Sequence, residues 1–135
     1  VVSEDEREVG RREILNFGHT LGHAVEAACS FRVPHGTAVA CGMILEARLG
    51  VSLGVTGTDV VERLEQVLGG VGLPIGIPDG AAPEDIMTYL ASDKKIRHGR
   101  THFVLLSEIG AVHVADGSWS HPVDEDTVLG IVHAL

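Results

Sequence analysis

The stretch Asn16-Phe17-Gly18-His19-Thr20-Leu21-Gly22-His23-Ala24-Val25-Glu26 reads as a helix with two distinct faces. Leu15, Leu21, Ala24, Val25 and Ala28 recur at helical spacing, which predicts a helix over Ile14 to Ala28 with these residues toward a core. Arg12, Asn16, His19 and His23 advance in steps of about four along another stripe. A polar stripe on a core helix requires a cavity, a metal or water to satisfy it. His19 and His23 are four residues apart and project from one face about a turn from each other. A third imidazole, in His35-Gly36, follows a break at Val33-Pro34, where the chain can fold back toward the first two.

Any one of these histidines is as readily a hydrogen-bonded packing residue as a ligand. Three within seventeen residues, flanked by Gly18, Gly22 and Gly36, which allow close approach of backbone or ligand, point to a metal and proton-transfer site.

Working outward, the run from Ala38 to Leu53 is strongly apolar and rich in small residues, but it carries Glu46 and Arg48. It reads as a buried central helix, from His35 or Gly36 to Leu53 and closing at Gly54, and not as a membrane span. A third helix is expected from Asp59 to about Leu68, N-capped by Thr58 or Asp59, with Val60, Val61, Leu64 and Val67 inward and Gly69-Gly70 at its end. Pro74 and Pro78 mark a crossing loop. A fourth helix starts near Pro83, with Glu84 and Asp85 at its N-terminus, and reaches about Ser92. Thr101 to Leu106 and Ala111 to Ala115 alternate around a turn and predict one β-hairpin. A last helix begins at Asp124 or Glu125 and runs to Leu135, and Ser3 and Glu6 are spaced like a capping box ahead of the first. The expected fold is mainly α, a helical bundle with one small β-hairpin.

A chain of 135 residues is the size of one domain and hides roughly two thirds of its unfolded surface. A net charge of −9 argues against nucleic acid or an anionic membrane as partner, so an anionic substrate needs a local basic cluster. Lys94, Lys95, Arg97 and Arg100 supply one, although Arg97 and Arg100 are equally explained as a solvated charge run. Cys29 and Cys41 have no zinc-knuckle spacing and are expected to be reduced core residues of a cytoplasmic protein. No signal-peptide pattern is read in these residues, and a chain that opens on Val1-Val2 is expected to have further sequence upstream or on another chain.

A catalytic zinc site uses three protein ligands and keeps one position open. His19 and His35 are the expected pair. Glu26 and Glu46 are candidates for a third ligand, neither at a convincing place on the stripe. His23 is placed for general acid/base work. Arg12 offers a planar fork to a carboxylate or phosphate, unless it pairs with Glu6 or Glu8, and Asn16 can orient a hydroxyl.

Arg12 and Asn16-Phe17-Gly18-His19-Thr20-Leu21-Gly22-His23-Ala24-Val25-Glu26, then His35-Gly36-Thr37-Ala38-Val39-Ala40-Cys41-Gly42-Met43, then Asp93-Lys94-Lys95 before a hairpin, together resemble the C-terminal helical domain of the 3-dehydroquinate synthase family. The resemblance covers nearly the whole chain in order. It implies a two-domain enzyme whose N-terminal domain, absent from this chain, holds NAD, and which converts 3-deoxy-D-arabino-heptulosonate 7-phosphate to 3-dehydroquinate and phosphate in the shikimate pathway. It makes His19 and His35 zinc ligands, with cobalt an alternative metal, and His23 a proton-transfer residue. Arg12, Asn16 and a lysine of Lys94-Lys95 become substrate contacts. The third ligand, a glutamate, lies upstream of this domain, so the isolated chain is expected to be inactive and the complete enzyme to be a homodimer. Thr37 departs from the glutamate that the family generally carries there, which keeps other sugar phosphate cyclases, such as the 2-deoxy-scyllo-inosose and 2-epi-5-epi-valiolone synthases, or a polyol dehydrogenase, as rivals. Asn16 and the two lysines favour the dehydroquinate branch. A non-catalytic helical assembly domain is the rival from outside enzymes.

Overall fold

The computed structural model describes residues 15–74, 76–96 and 101–134, without the side chains of residues 95 and 96. The helices are α1 (His19–Ala28), α2 (His35–Ser52), α3 (Thr58–Gly70), α4 (Pro83–Ile96) and α5 (Glu125–Ala134). Between α4 and α5 lie four short strands, β1 (His102–Phe103), β2 (Leu106–Glu108), β3 (Ala111–Val112) and β4 (His121–Pro122). The mainly helical architecture with a small β element agrees with the expectation from sequence.

Helix α2 is the centre. Alanine, glycine and leucine around its circumference let α1, α3 and α5 all pack on it, and ten of its residues are buried. One core joins Leu21, Ala24 and Val25 of α1 to Leu45 and Leu49 of α2, Ile86 and Leu90 of α4, Phe103, and Val128 and Val132 of α5. A second, smaller core joins Ile44 and Ala47 to Val60 and Leu64 of α3.

The first helix begins at His19, five residues later than periodicity predicts. Gly18 takes a left-handed conformation at φ 83°, and Leu15 and Asn16 form a separate tight turn before it. Leu15 is therefore out of phase with Leu21 and stands 50% exposed instead of entering the core. Val67 of α3 is also outside, at 60% exposure, while its neighbour Leu68 packs against the smaller core.

Helix α4 continues one turn beyond Ser92, so Asp93-Lys94-Lys95 sits on a helix and does not follow one. The expected hairpin narrows to β2 and β3, paired antiparallel with a register irregularity between Leu106 and Glu108. Its ladder extends to His113 N–H on the Leu105 carbonyl, at 2.7 Å. Residues 102–103 instead pair antiparallel with β4, a strand not anticipated, since a segment of two residues containing proline carries no alternation to read. Asp124 caps α5, its carboxylate accepting the Thr127 N–H at 2.9 Å.

Candidate metal and proton-transfer site

The turn between α1 and α2 makes the site. Ser30 and Phe31 both adopt positive φ, 54° and 59°, a conformation costly for side chains other than glycine. Phe31 N–H donates to the Glu26 carbonyl at 2.8 Å, closing the end of α1. Pro34, extended at ψ 143°, then starts α2 at His35. The chain thus doubles back and returns His35 to the helix that carries His19 and His23.

All three rings meet. The centroids of His19 and His23 are 5.6 Å apart, those of His19 and His35 5.8 Å, and those of His23 and His35 6.0 Å, a nearly equilateral triangle. Two of the rings are tied by Nδ1. His19 Nδ1 lies 3.2 Å from the Phe17 carbonyl and His35 Nδ1 lies 3.1 Å from Glu26 Oε2. A carbonyl oxygen only accepts, so His19 carries its proton on Nδ1 when neutral and keeps the Nε2 lone pair free for a cation. Ligand atoms of His23, Glu26 and His35 also lie within 4.8 Å of one another, close enough to surround one metal ion. Desolvation, reinforced by His19, lowers the pKa of His23, while Glu26 and Asp93 partly oppose that shift.

The α1–α2 crossing that fixes this geometry is a backbone contact. A Cβ on Gly42 would lie 2.0 Å from the Gly18 carbonyl oxygen and 2.6 Å from the Gly22 nitrogen. On Gly18 it would meet Met43, and on Gly22 the backbone of Val39. Gly18 and Gly22 thus serve close approach, as expected, whereas nothing lies within 4 Å of a Cβ on Gly36 among the described residues. Glu46, wholly buried on α2, accepts the N–H of Gly18 at 3.0 Å through Oε1 and that of Leu21 at 3.0 Å through Oε2. Its carboxyl is committed to the buried N–H donors at the α1 N-terminus, which lack helical partners, and is no metal ligand. Burial pushes its pKa up to about 8, against the pull of the two N–H groups. The signal for Glu46 in the sequence was a lone acid inside an almost uncharged helix.

Asn16 is half-buried in the turn ahead of Gly18. Arg12 and the Lys95 side chain lie outside the described residues, as do Arg97, Arg100, Ser3 and Glu6. Lys94 pairs with Glu125 at 3.5 Å and lines a cavity of about 420 Å³ between α4, α5 and the β1–β4 strands, whose walls include none of the three histidines. Thr20, next to His19, donates to the His102 carbonyl at 3.2 Å and ties β1 to this end of α1. Cys29 and Cys41 are buried free thiols, Cys41 pushed up to about 12 by burial, so neither is a reactive nucleophile. Among the described residues no helix is long and apolar enough to cross a membrane.

The family model for the 3-dehydroquinate synthase C-terminal region matches residues 1–96. The 3-dehydroquinate synthase of Synechococcus sp. is 43% identical over 126 residues, covering 93% of this chain and 34% of that enzyme. That of Nostoc punctiforme is 45% identical over 117 residues, 86% of this chain and 32% of that enzyme. The chain therefore spans about a third of the length of the curated relatives it matches. Among solved structures, a 2-deoxy-scyllo-inosose synthase complexed with carbaglucose-6-phosphate, NAD+ and Co2+ superimposes with a TM-score of 0.89 at 28% identity, over 99% of this chain and 38% of that one. The 2-epi-5-epi-valiolone synthase from Streptomyces hygroscopicus subsp. jinggangensis, with NAD+ and Zn2+ bound, shares the fold with a TM-score of 0.75 at 22% identity, over 98% of this chain and 36% of that one.

Proposed function

The chain belongs to the 3-dehydroquinate synthase family through its C-terminal region, and from that premise we propose that it is the metal- and substrate-binding domain of an enzyme that converts 3-deoxy-D-arabino-heptulosonate 7-phosphate to 3-dehydroquinate and phosphate. The observation that carries the reading is the triangle of imidazoles at 5.6, 5.8 and 6.0 Å, brought together by the turn between α1 and α2. His19 and His35 would hold a divalent cation, zinc or cobalt, with a third ligand from outside the chain. When bound, the cation would polarise a substrate hydroxyl as a Lewis acid, and NAD held by a further domain would accept and return the hydride.

The chain's own residues then have separate tasks. His23 accepts the proton of the reacting hydroxyl and returns it, its ring held one turn from His19. Asn16 orients a hydroxyl from the turn before Gly18. Arg12 and the Lys94-Lys95 pair offset the negative charge of the substrate, in a chain that otherwise carries a net −9. In this structure Lys94 is engaged by Glu125, so its contact with substrate requires that exposed pair to open. The identity of 43–45% to dehydroquinate synthases, against 28% to the inosose synthase, favours the dehydroquinate product over that of another cyclase.

The test is turnover by the full-length protein with NAD and zinc, with the product identified. His19→Ala and His35→Ala are each expected to weaken zinc binding by roughly a hundredfold or more and to abolish turnover. His23→Ala should retain zinc while turnover falls by about 10²–10⁴-fold. A different carbocycle as product would move the assignment to another sugar phosphate cyclase, and undiminished zinc affinity in both ligand variants would remove the metal site.

A further inference from the structure

The imidazole of His35 stands at the first position of α2, just past the reversal, with its side chain 57% exposed. A ring so placed has little packing to hold it. It is held by Glu26, which is one turn along α1 from His23 and is 14% exposed in its side chain, with Oε2 3.1 Å from His35 Nδ1. That carboxylate faces Nδ1, which leaves Nε2 on the opposite edge of the ring. His19 has the same arrangement, with a backbone carbonyl in place of the carboxylate.

We infer that Glu26 is a positioning residue for the metal site: it accepts the Nδ1–H of His35, selects the tautomer with a free Nε2 lone pair, and fixes the plane of the ring. The inference rests on the metal site proposed above. It gives the carboxylate a role other than that of the third ligand, for which its distance from His23 and His35 would also suit it. A carboxylate bound to Nδ1 of a ligating imidazole orients that ligand, and losing such a partner typically weakens a metal site by about 10–100-fold.

The experiment is Zn2+ affinity, measured by competition with a chromophoric chelator, together with the Co2+ absorption spectrum at saturation. Both are applied to the full-length protein and to its Glu26→Ala, Glu26→Gln and His35→Ala variants. A positioning role predicts a loss of about 10–100-fold in Glu26→Ala and a smaller loss in Glu26→Gln, whose amide oxygen still accepts the Nδ1–H. At saturation the Co2+ spectrum should match that of the unaltered protein, because no ligand is missing, and thermal unfolding of the metal-free forms should be unchanged. Wild-type affinity in both Glu26 variants, with affinity lost in His35→Ala, would overturn the positioning role and leave the metal site standing. A Co2+ spectrum of altered coordination would also overturn it, by making Glu26 a direct ligand. Wild-type affinity in His35→Ala would overturn the site itself and the inference with it.

Discussion

Gly42→Ala is expected to cost about 3 kcal/mol of stability and to weaken metal binding in the same protein, although residue 42 carries no ligand atom of its own. The added methyl would meet the Gly18 carbonyl oxygen at 2.0 Å, the Gly22 nitrogen at 2.6 Å and the Gly22 Cα at 2.9 Å. All three are backbone atoms of α1 or of the turn that starts it, so no side-chain rotation relieves the overlap, and overpacking of this kind costs about 1–3 kcal/mol. The relief open to the protein is to push α1 away from α2, which moves His19 and His23 relative to His35. Urea denaturation would measure the first effect and zinc competition the second. Gly36→Ala is the control. It lies on the same helix, a Cβ there meets nothing within 4 Å among the described residues, and it sits in the first turn, so the substitution should be neutral or slightly stabilising.

Glu46→Gln is expected to destabilise the protein by about 1–3 kcal/mol near pH 5, because one of the two buried N–H groups then faces an amide NH2 in place of an acceptor. Glu46→Ala should cost more, since it strips both donors of partners and opens a cavity. The glutamine variant also carries a pH signature. The pKa of Glu46 rises from 4.5 to about 8 on folding, so the native state binds a proton more tightly than the unfolded chain. The stability this contributes is present below 4.5 and is lost as the pH climbs through 8. Glutamine does not titrate, so the stability gap between the two proteins should shift by a few kcal/mol from pH 5 to pH 8, closing and then reversing in favour of the glutamine variant. A gap independent of pH would mean that Glu46 is buried as an anion across the whole range. Denaturant midpoints of both proteins at four or five pH values would decide it.

Both effects concern residues whose importance was invisible, or visible only in part, in the one-dimensional pattern. Helical spacing, continuous apolarity and start signals such as Pro83 with Glu84 and Asp85 assigned the five described helices, because burying an amphipathic or apolar helix leaves a pattern that survives in sequence. That pattern misplaced the start of α1, since a left-handed glycine interrupts a helix without disturbing the spacing of the residues around it. It also placed Asp93-Lys94-Lys95 after α4 and not within it, because charged residues on a last helical turn look like a loop. The hairpin was legible where alternation was long enough, and β4 was not.

The sequence by itself determined the fold class, the central place of α2, the family, and that His19, His23 and His35 belong to one constellation. The reason is that helical spacing, uninterrupted apolarity and the motif in residues 16–26 are properties of neighbours along the chain. Tertiary structure alone decided that Glu46 spans from α2 to the N–H groups of Gly18 and Leu21, that Glu26 holds His35 by Nδ1, and that Gly42 and not Gly36 is where the backbones touch. Those are contacts between residues 9 to 28 positions apart. Their partners depend on where two helices cross, and a crossing is set by the shape of both surfaces together, which neither segment specifies alone.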